Sequence, residues 1–268
     1  MKEEIIIIGA GAAGIGAGLA LQKLGVPFVI LEASNRVGGR AYTDKSSLPS
    51  HWDQGCGWLH CADVNPLVSW ADYLGAVYES KDHSEKALFW SENHWLDNAE
   101  RSFVHRQITN AFVSIYAAAK QGDDVPISGI LAKDCVGSAI AKTMVRLMCS
   151  DEPERASATG YADYIDTNVN WIVTSGYGNL INQMAAGLPI RTSSEVSSIT
   201  YHRDGVRVQT NSGQIDARAA IVTASTNVLR SGQIDFPSGP VQKLLNLIEG
   251  VPCGTYEKIA IALDHYPF

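Results

Sequence analysis

The sequence predicts an α/β chain: a doubly wound parallel sheet with a β-meander, joined to a partial α+β unit that is largely helical. Residues 5–40 read as strand, glycine turn, small-residue helix, second strand, acid and an arginine-bearing turn. Between about residues 76 and 160 the texture shifts to helical spacing. After residue 185 short alternating runs are separated by turn residues, the pattern of a meander.

The opening unit can be justified residue by residue. Ile5–Ile8 is a β-branched run suited to a strand buried on both faces. Gly9, Gly11 and Gly14 then fill G-x-G-x-x-G. The first permits a tight turn, the second lets a pyrophosphate approach the backbone, and the third lets helix and strand pack closely. Ala12 to about Leu24 has helix-compatible spacing, and its N-terminal N–H groups can hold a diphosphate. Phe28–Leu31 supplies the second strand and ends at Glu32, 21 positions after Gly11, where a ribose-binding carboxylate is expected. An acid there suits an unphosphorylated ribose, so FAD or NAD is favoured over NADP. Arg36 and Arg40 flank Gly38 and Gly39 in the next turn. An arginine on such a turn can reach back to the same diphosphate. NAD is the poorer fit, because that turn would lack a role.

GAGAAGIGAG followed by LEASNRVGGR strongly resembles the flavin-containing amine oxidases, the monoamine and polyamine oxidase family. Protoporphyrinogen oxidase and phytoene desaturase share this N-terminal pattern. The resemblance implies a Rossmann-like FAD-binding domain, with Glu32 on the adenosine ribose and Arg40 near the diphosphate. It also implies oxidation of an amine C–N bond by hydride transfer to flavin N5. The imine then hydrolyses to an aldehyde or ketone, and O2 is reduced to H2O2. Alternatives are a desaturase or protoporphyrinogen-type oxidase, and a non-catalytic FAD-binding subunit or fragment.

Four further segments extend the resemblance. HWDQGCGWLH, residues 51–60, resembles the family segment beside the isoalloxazine ring. Gly55 and Gly57 would let the backbone approach a flat ring, and Trp58 would pack at the cavity wall. Cys56 stands where the family usually has alanine. SGYGNLINQMA, residues 175–185, resembles the family's G-G-x-x-x-L segment, and Val196 matches a valine whose main chain contacts adenine. VTASTNVLR, residues 222–230, departs from the pattern: Ser225 replaces a usual proline, removing a fixed φ. GTYEKIAIALD, residues 254–264, puts Lys258 ahead of an alternating strand expected at Lys258–Leu263. In many amine oxidases the lysine at this position reaches flavin N5 through a water, which makes Lys258 the expected catalytic residue. A positive charge there favours developing anionic oxygen during reoxidation.

The 268 residues, 46% hydrophobic and 18% charged, describe an ordinary globular protein. A net charge of −7 argues against a general nucleic-acid surface and is compatible with cationic amines. The apolar N-terminal stretch starts with Lys2-Glu3-Glu4 and is broken by Gln22-Lys23, so neither an export signal nor a membrane span is expected. Cysteines 56, 61, 135, 149 and 253 are scattered without C-x-x-C, which predicts reduced thiols in a cytoplasm. His51, Cys56, His60 and Cys61 match no standard zinc spacing, and no metal is expected.

Residues 1–75 and 165–235 are expected to form the FAD-binding domain, and residues 76–164 and 236–268 an incomplete helical substrate domain. Within these, Arg101–Lys120 and Ile130–Met148 have helical spacing around the breaker QGDDVPISG. Glu195–His202, Val206–Thr210, Gln214–Ala217 and Ala220–Thr223 are the expected strands, followed by a helix at Val241–Glu249. The resemblance covers nearly all of the chain but only the N-terminal portion of a typical member. The expected partners are therefore an amine, O2, and a second polypeptide supplying the C-terminal flavin segment, or a homodimer.

Overall fold

The computed structural model describes residues 3–80, 89–91, 93–122, 124–131, 135–237 and 241–265. Strand β1 (Glu3–Ile8), helix α1 (Ala12–Lys23) and strand β2 (Phe28–Leu31) form the opening crossover. Ile6, Ile7 and Ile30 have no exposed surface, as a strand covered on both faces requires. Three two-residue strands follow, β3 (Thr43–Asp44), β4 (Trp52–Asp53) and β5 (Trp58–Leu59), and then helix α2 (Pro66–Leu74). Asn65 caps α2 by accepting from the Leu67 N–H, and Gly75 ends it in the left-handed region at φ 69°.

The described residues of the next stretch hold an antiparallel pair, β6 (Trp90–Ser91) with β7 (His94–Trp95), and the helices α3 (Asn98–Lys120), α4 (Ile127–Ile130), α5 (Val136–Cys149) and α6 (Ala158–Ala162). Asp97 and Glu100 close a capping box at the start of α3. Ile115, Ile127, Ala141 and Val145 form the core of this group. A Cβ at Gly137 would collide with the Gln107 backbone, so glycine lets α5 press directly on α3. The helix expected from Ile130 onward is not continuous. The backbone is extended at Leu131 (ψ 132°) and at Cys135 (ψ 130°), and α5 starts only at Val136. The single turn of α4 begins inside the sequence read as a breaker, directly after Pro126, whose extended backbone (φ −61°, ψ 137°) precedes the helix.

The chain then supplies β8 (Trp171–Ile172), α7 (Tyr177–Met184), β9 (Ile190–Arg191), β10 (Val196–His202), β11 (Gly205–Thr210), β12 (Gly213–Val222), α8 (Thr226–Arg230) and α9 (Val241–Ile248). Six strands form one sheet in the order β10-β11-β12-β1-β2-β9. Pairs β12–β1, β1–β2 and β2–β9 are parallel, whereas β10–β11 and β11–β12 are antiparallel. The two strands expected at Gln214–Ala217 and Ala220–Thr223 are one strand of ten residues. Ala217 explains the merger: it pairs with Val206 in the meander and with Glu3 in the parallel sheet. The same strand therefore finishes one motif and enters the next.

Two compact units result: Met1–Ser80, Asn170–Cys253 and Lys258–Phe268 in one, Lys81–Val169 with Gly254–Glu257 in the other. Most of 236–268, assigned from sequence to the helical domain, thus groups with the sheet. Ile6, Ile8, Leu31, Val208 and Phe236 share the core of that unit. The strand expected at Lys258–Leu263 does not form. Its alternation is real, but among the described residues no neighbouring strand pairs with it, and a ladder needs two strands. Ile259, Ile261 and Leu263 are left 88%, 74% and 63% exposed. Phe268 lies outside the described residues. Among the described residues no helix is long and apolar enough to cross a membrane.

Candidate dinucleotide site

The glycine turn between β1 and α1 is built for close approach. Gly9 has φ 101° and donates its N–H to the Leu31 carbonyl at 2.8 Å, tying the turn to β2. A Cβ at Gly14 would collide with the Gly9 carbonyl oxygen, so only glycine lets the first helical turn rest there. Gly11 is different. It has φ −77°, which any residue tolerates, and a Cβ placed on it would meet nothing within 4 Å. Its side faces open space at the N-terminus of α1, where no side chain caps the helix. The first N–H groups of α1 are thus available to an external acceptor.

Thr223, which sequence reasoning did not single out, forms the floor of this turn. Its hydroxyl donates to the Ile8 carbonyl at 2.8 Å and lies 3.2 Å from the Gly9 carbonyl oxygen. The available signal was its place as the last residue of the strand expected at Ala220–Thr223.

Glu32 stands at the end of β2 with its carboxylate turned to the glycine loop. It accepts from the Ala10 N–H at 2.7 Å, the Ser34 N–H at 2.9 Å and the Ser34 hydroxyl at 2.7 Å. The arginine turn folds over the same loop. Gly38 donates its N–H to the Ala10 carbonyl at 2.8 Å, and a Cβ on Gly39 would lie 3.4 Å from the Gly11 Cα. Both residues need the positive φ that glycine provides, 98° and 57°. Arg36 braces its own turn: Nη1 donates to the Gly39 carbonyl at 2.9 Å, and the guanidinium lies 4.4 Å over the Tyr42 ring. Arg40 is exposed on the following residue. Its charge, after the Thr226 hydroxyl and the Asn227 N–H, helps pull the Cys253 thiol below its ordinary pKa.

Residues 51–60 form a strap across residues 40–44. Gly55 is required by the chain itself, since a Cβ there would collide with the Arg40 carbonyl. Sequence reasoning assigned that glycine to the approach of a flat ring; the Arg40 backbone already demands it. Gly57 keeps ordinary room, with the nearest atoms to a Cβ being those of Asp53 at 3.7 Å. Lys258 lies beside both glycines: Nζ donates to the Gly55 carbonyl and, at 3.3 Å, to the Asp53 carbonyl. Trp58 is 41% exposed and pairs through its backbone with Ile172.

Asp53 was also missed from sequence. Its carboxylate accepts from the Tyr177 N–H at 2.8 Å, the Gly178 N–H at 3.2 Å and the Thr43 hydroxyl at 2.5 Å. It therefore caps α7 from a distant part of the chain, where Gly176 brings no capping side chain of its own. A Cβ on Gly178 would collide with the Thr43 N–H, which accounts for glycine inside that helix. Burial, followed by Cys56 and Asp53, pushes the Tyr177 phenol up to about 12.

Val196 is 6% exposed with its side chain in the core. The preceding residues run beside Glu32, with the Ser194 N–H donating to the Glu32 carbonyl at 2.8 Å. Ser225 adopts φ −65°, the value proline would impose, and caps α8 by accepting from the Val228 N–H at 3.4 Å. The serine thus keeps a φ that proline would also adopt. His51 and His60 bond separately, to the Thr174 carbonyl and the Asn170 side chain, each at 2.8 Å. Among the described residues no three His, Cys, Asp or Glu side chains gather to hold a metal.

The glycine loop, the start of α1 and Glu32 can together hold a dinucleotide, with diphosphate over Gly11 and a ribose hydroxyl at the carboxylate. The family model described as flavin containing amine oxidoreductase matches residues 12–120 and 128–267. Lysine-specific histone demethylase 2 of Homo sapiens is 27% identical over 291 residues, covering 98% of this chain and 35% of that protein. Polyamine oxidase 4 of Oryza sativa subsp. japonica is 27% identical over 289 residues, covering 97% of this chain and 59% of that protein. The solved structure of wild-type putrescine oxidase bound to putrescine superposes with a TM-score of 0.67 at 18% identity, covering 91% of this chain and 62% of that one. The chain spans less than two thirds of the length of each.

Proposed function

The chain belongs to the flavin-containing amine oxidoreductases, and on that premise we propose that it takes part in oxidising an amine C–N bond to an imine, which hydrolyses to an aldehyde or ketone. Its cofactor is FAD. The residues present fit that group: Gly11 opens onto free space at an uncapped helix N-terminus, and Glu32 is tied to the same loop by one carboxylate oxygen on the Ala10 N–H. When bound, FAD supplies the hydride acceptor at N5 and passes its electrons to O2, giving H2O2.

In this reading the chain's own residues bind, orient and shield. The N–H groups at the start of α1 hold the diphosphate, with Arg40 adding charge. Glu32 takes the adenosine ribose, and the main chain at Val196 meets the adenine. Gly57 and Trp58 line the ring side of the strap, where Lys258 orders a water. Relatives named for polyamines, putrescine and lysine support an aliphatic amine as substrate. The net charge of −7 favours capture of such a cation. The cysteines are scattered without C-x-x-C, which supports a reducing compartment such as the cytoplasm.

The observation that carries this reading is the arginine turn folded onto the glycine loop, Gly38 against Ala10 and Gly39 against Gly11. Hydride loss needs the nitrogen lone pair, so the bound amine must be neutral. Peroxide release with putrescine or longer polyamines should therefore rise with pH toward the bound amine's pKa. A rate that stays flat from about pH 6 to 10 would refute amine oxidation.

A further inference from the structure

Lys258 carries a charge on a long flexible stem, and something must hold that charge in one place. Its Nζ donates to main-chain oxygens of the strap, those of Asp53 and Gly55. Where those two carbonyls point is decided by how the strap is anchored. On one side Gly55 rests on the Arg40 carbonyl, and the Cys56 N–H donates to that same oxygen at 3.3 Å. On the other side the anchor is the Asp53 carboxylate, which takes two N–H groups from the start of α7 and the buried Thr43 hydroxyl. One residue thus joins three elements: its side chain grips the helix, and its carbonyl holds the lysine.

From this geometry we infer that Asp53 is a positioning residue for Lys258. The carboxylate locks the strap to the N-terminus of α7, and the locked strap presents the Asp53 and Gly55 carbonyls to Nζ. Thr43 belongs to the same device, because its hydroxyl donates to the carboxylate at 2.5 Å and accepts from the Asn179 N–H at 3.2 Å. The charge-assisted contacts to helix N–H groups make this anchor stronger than a neutral one. The inference rests on the functional reading above for its purpose, but the positioning itself does not require bound FAD.

The test is an acetylation footprint of the full chain, read by mass spectrometry at every lysine without FAD. It compares wild type with Asp53→Asn, Thr43→Val and Thr43→Ser. Lys258 should be labelled roughly five- to tenfold faster in Asp53→Asn, the size of losing about one net hydrogen bond. Thr43→Val should move it the same way by less, and Thr43→Ser, which keeps the hydroxyl, should return it to the wild-type rate. Lys23 and Lys120, far along the sequence, should not change. If Asp53→Asn fails to fold, the Thr43 pair decides. Equal labelling of Lys258 across folded variants, or a rise shared by all lysines, overturns the inference. FAD titration of wild type by fluorescence quenching runs beside it; failure to bind FAD counts against the functional reading while leaving the footprint result standing.

Discussion

Replacing Gly11 by alanine separates folding from cofactor binding. Gly11 has φ −77° and ψ −179°, and an added Cβ meets no atom within 4 Å, so the methyl group fits the unliganded chain. Alanine is a poorer N-cap than glycine by a few tenths to about 1 kcal/mol, but it also reduces unfolded-chain entropy by ~0.4–1 kcal/mol. The two effects nearly cancel, and the Tm should stay close to wild type. The methyl nevertheless occupies the space through which a diphosphate reaches the first N–H groups of α1. Losing one hydrogen bond to a charged group costs about 1.5–3 kcal/mol, or roughly ten- to 150-fold in Kd. Fluorescence quenching of FAD on titration with protein measures that change. Gly14→Ala is the contrasting control: its Cβ collides with the Gly9 carbonyl oxygen and lies 3.1 Å from the Thr223 hydroxyl oxygen. It should lower stability by about 1–3 kcal/mol. A Gly11→Ala protein that is stable and binds FAD as tightly as wild type would show that the diphosphate does not lie over this glycine.

Two other outcomes follow from the site. Lys258→Met removes the cation that donates to the Asp53 and Gly55 carbonyls, and reoxidation by O2 should slow about tenfold or more in stopped-flow measurements. An unchanged rate would remove Lys258 from the oxygen half-reaction. Asp44 accepts from the Ser46 N–H at 2.7 Å and the Ser47 N–H at 3.0 Å, and these bonds lower its carboxyl to about 2. A carboxyl held below its unfolded value stabilises the fold above about pH 4 and loses that contribution as pH falls toward 2. Asp44→Asn should flatten the stability profile across that window in urea titrations; an identical profile would refute the assignment.

The opening crossover was readable because every requirement on it is local. A β-branched run, three glycines at fixed spacing, a small-residue helix and an acid after the second strand each follow from adjacent residues, and β2 spans the expected Phe28–Leu31. The partner of Glu32 was less accessible, since the Ala10 N–H is 22 positions away. Arg36 illustrates the limit more sharply. The resemblance singles out Arg40 near the diphosphate, and no local spacing reveals that Arg36 braces the turn, its Nη1 held by the Gly39 carbonyl. Likewise the alternation at Lys258–Leu263 marks a strand-forming segment, but a strand exists only beside another strand.

The amino-acid order by itself determined the nucleotide crossover, the meander and the family resemblance, because backbone propensity and glycine geometry act over a few residues. The tertiary structure alone decided which distant groups meet: Thr223 beneath Gly9, Asp53 at the start of α7, and Lys258 on the strap. Those contacts join residues 124 to 214 positions apart. Such pairings depend on how packed elements bring charges and N–H groups into register, and no local spacing encodes that.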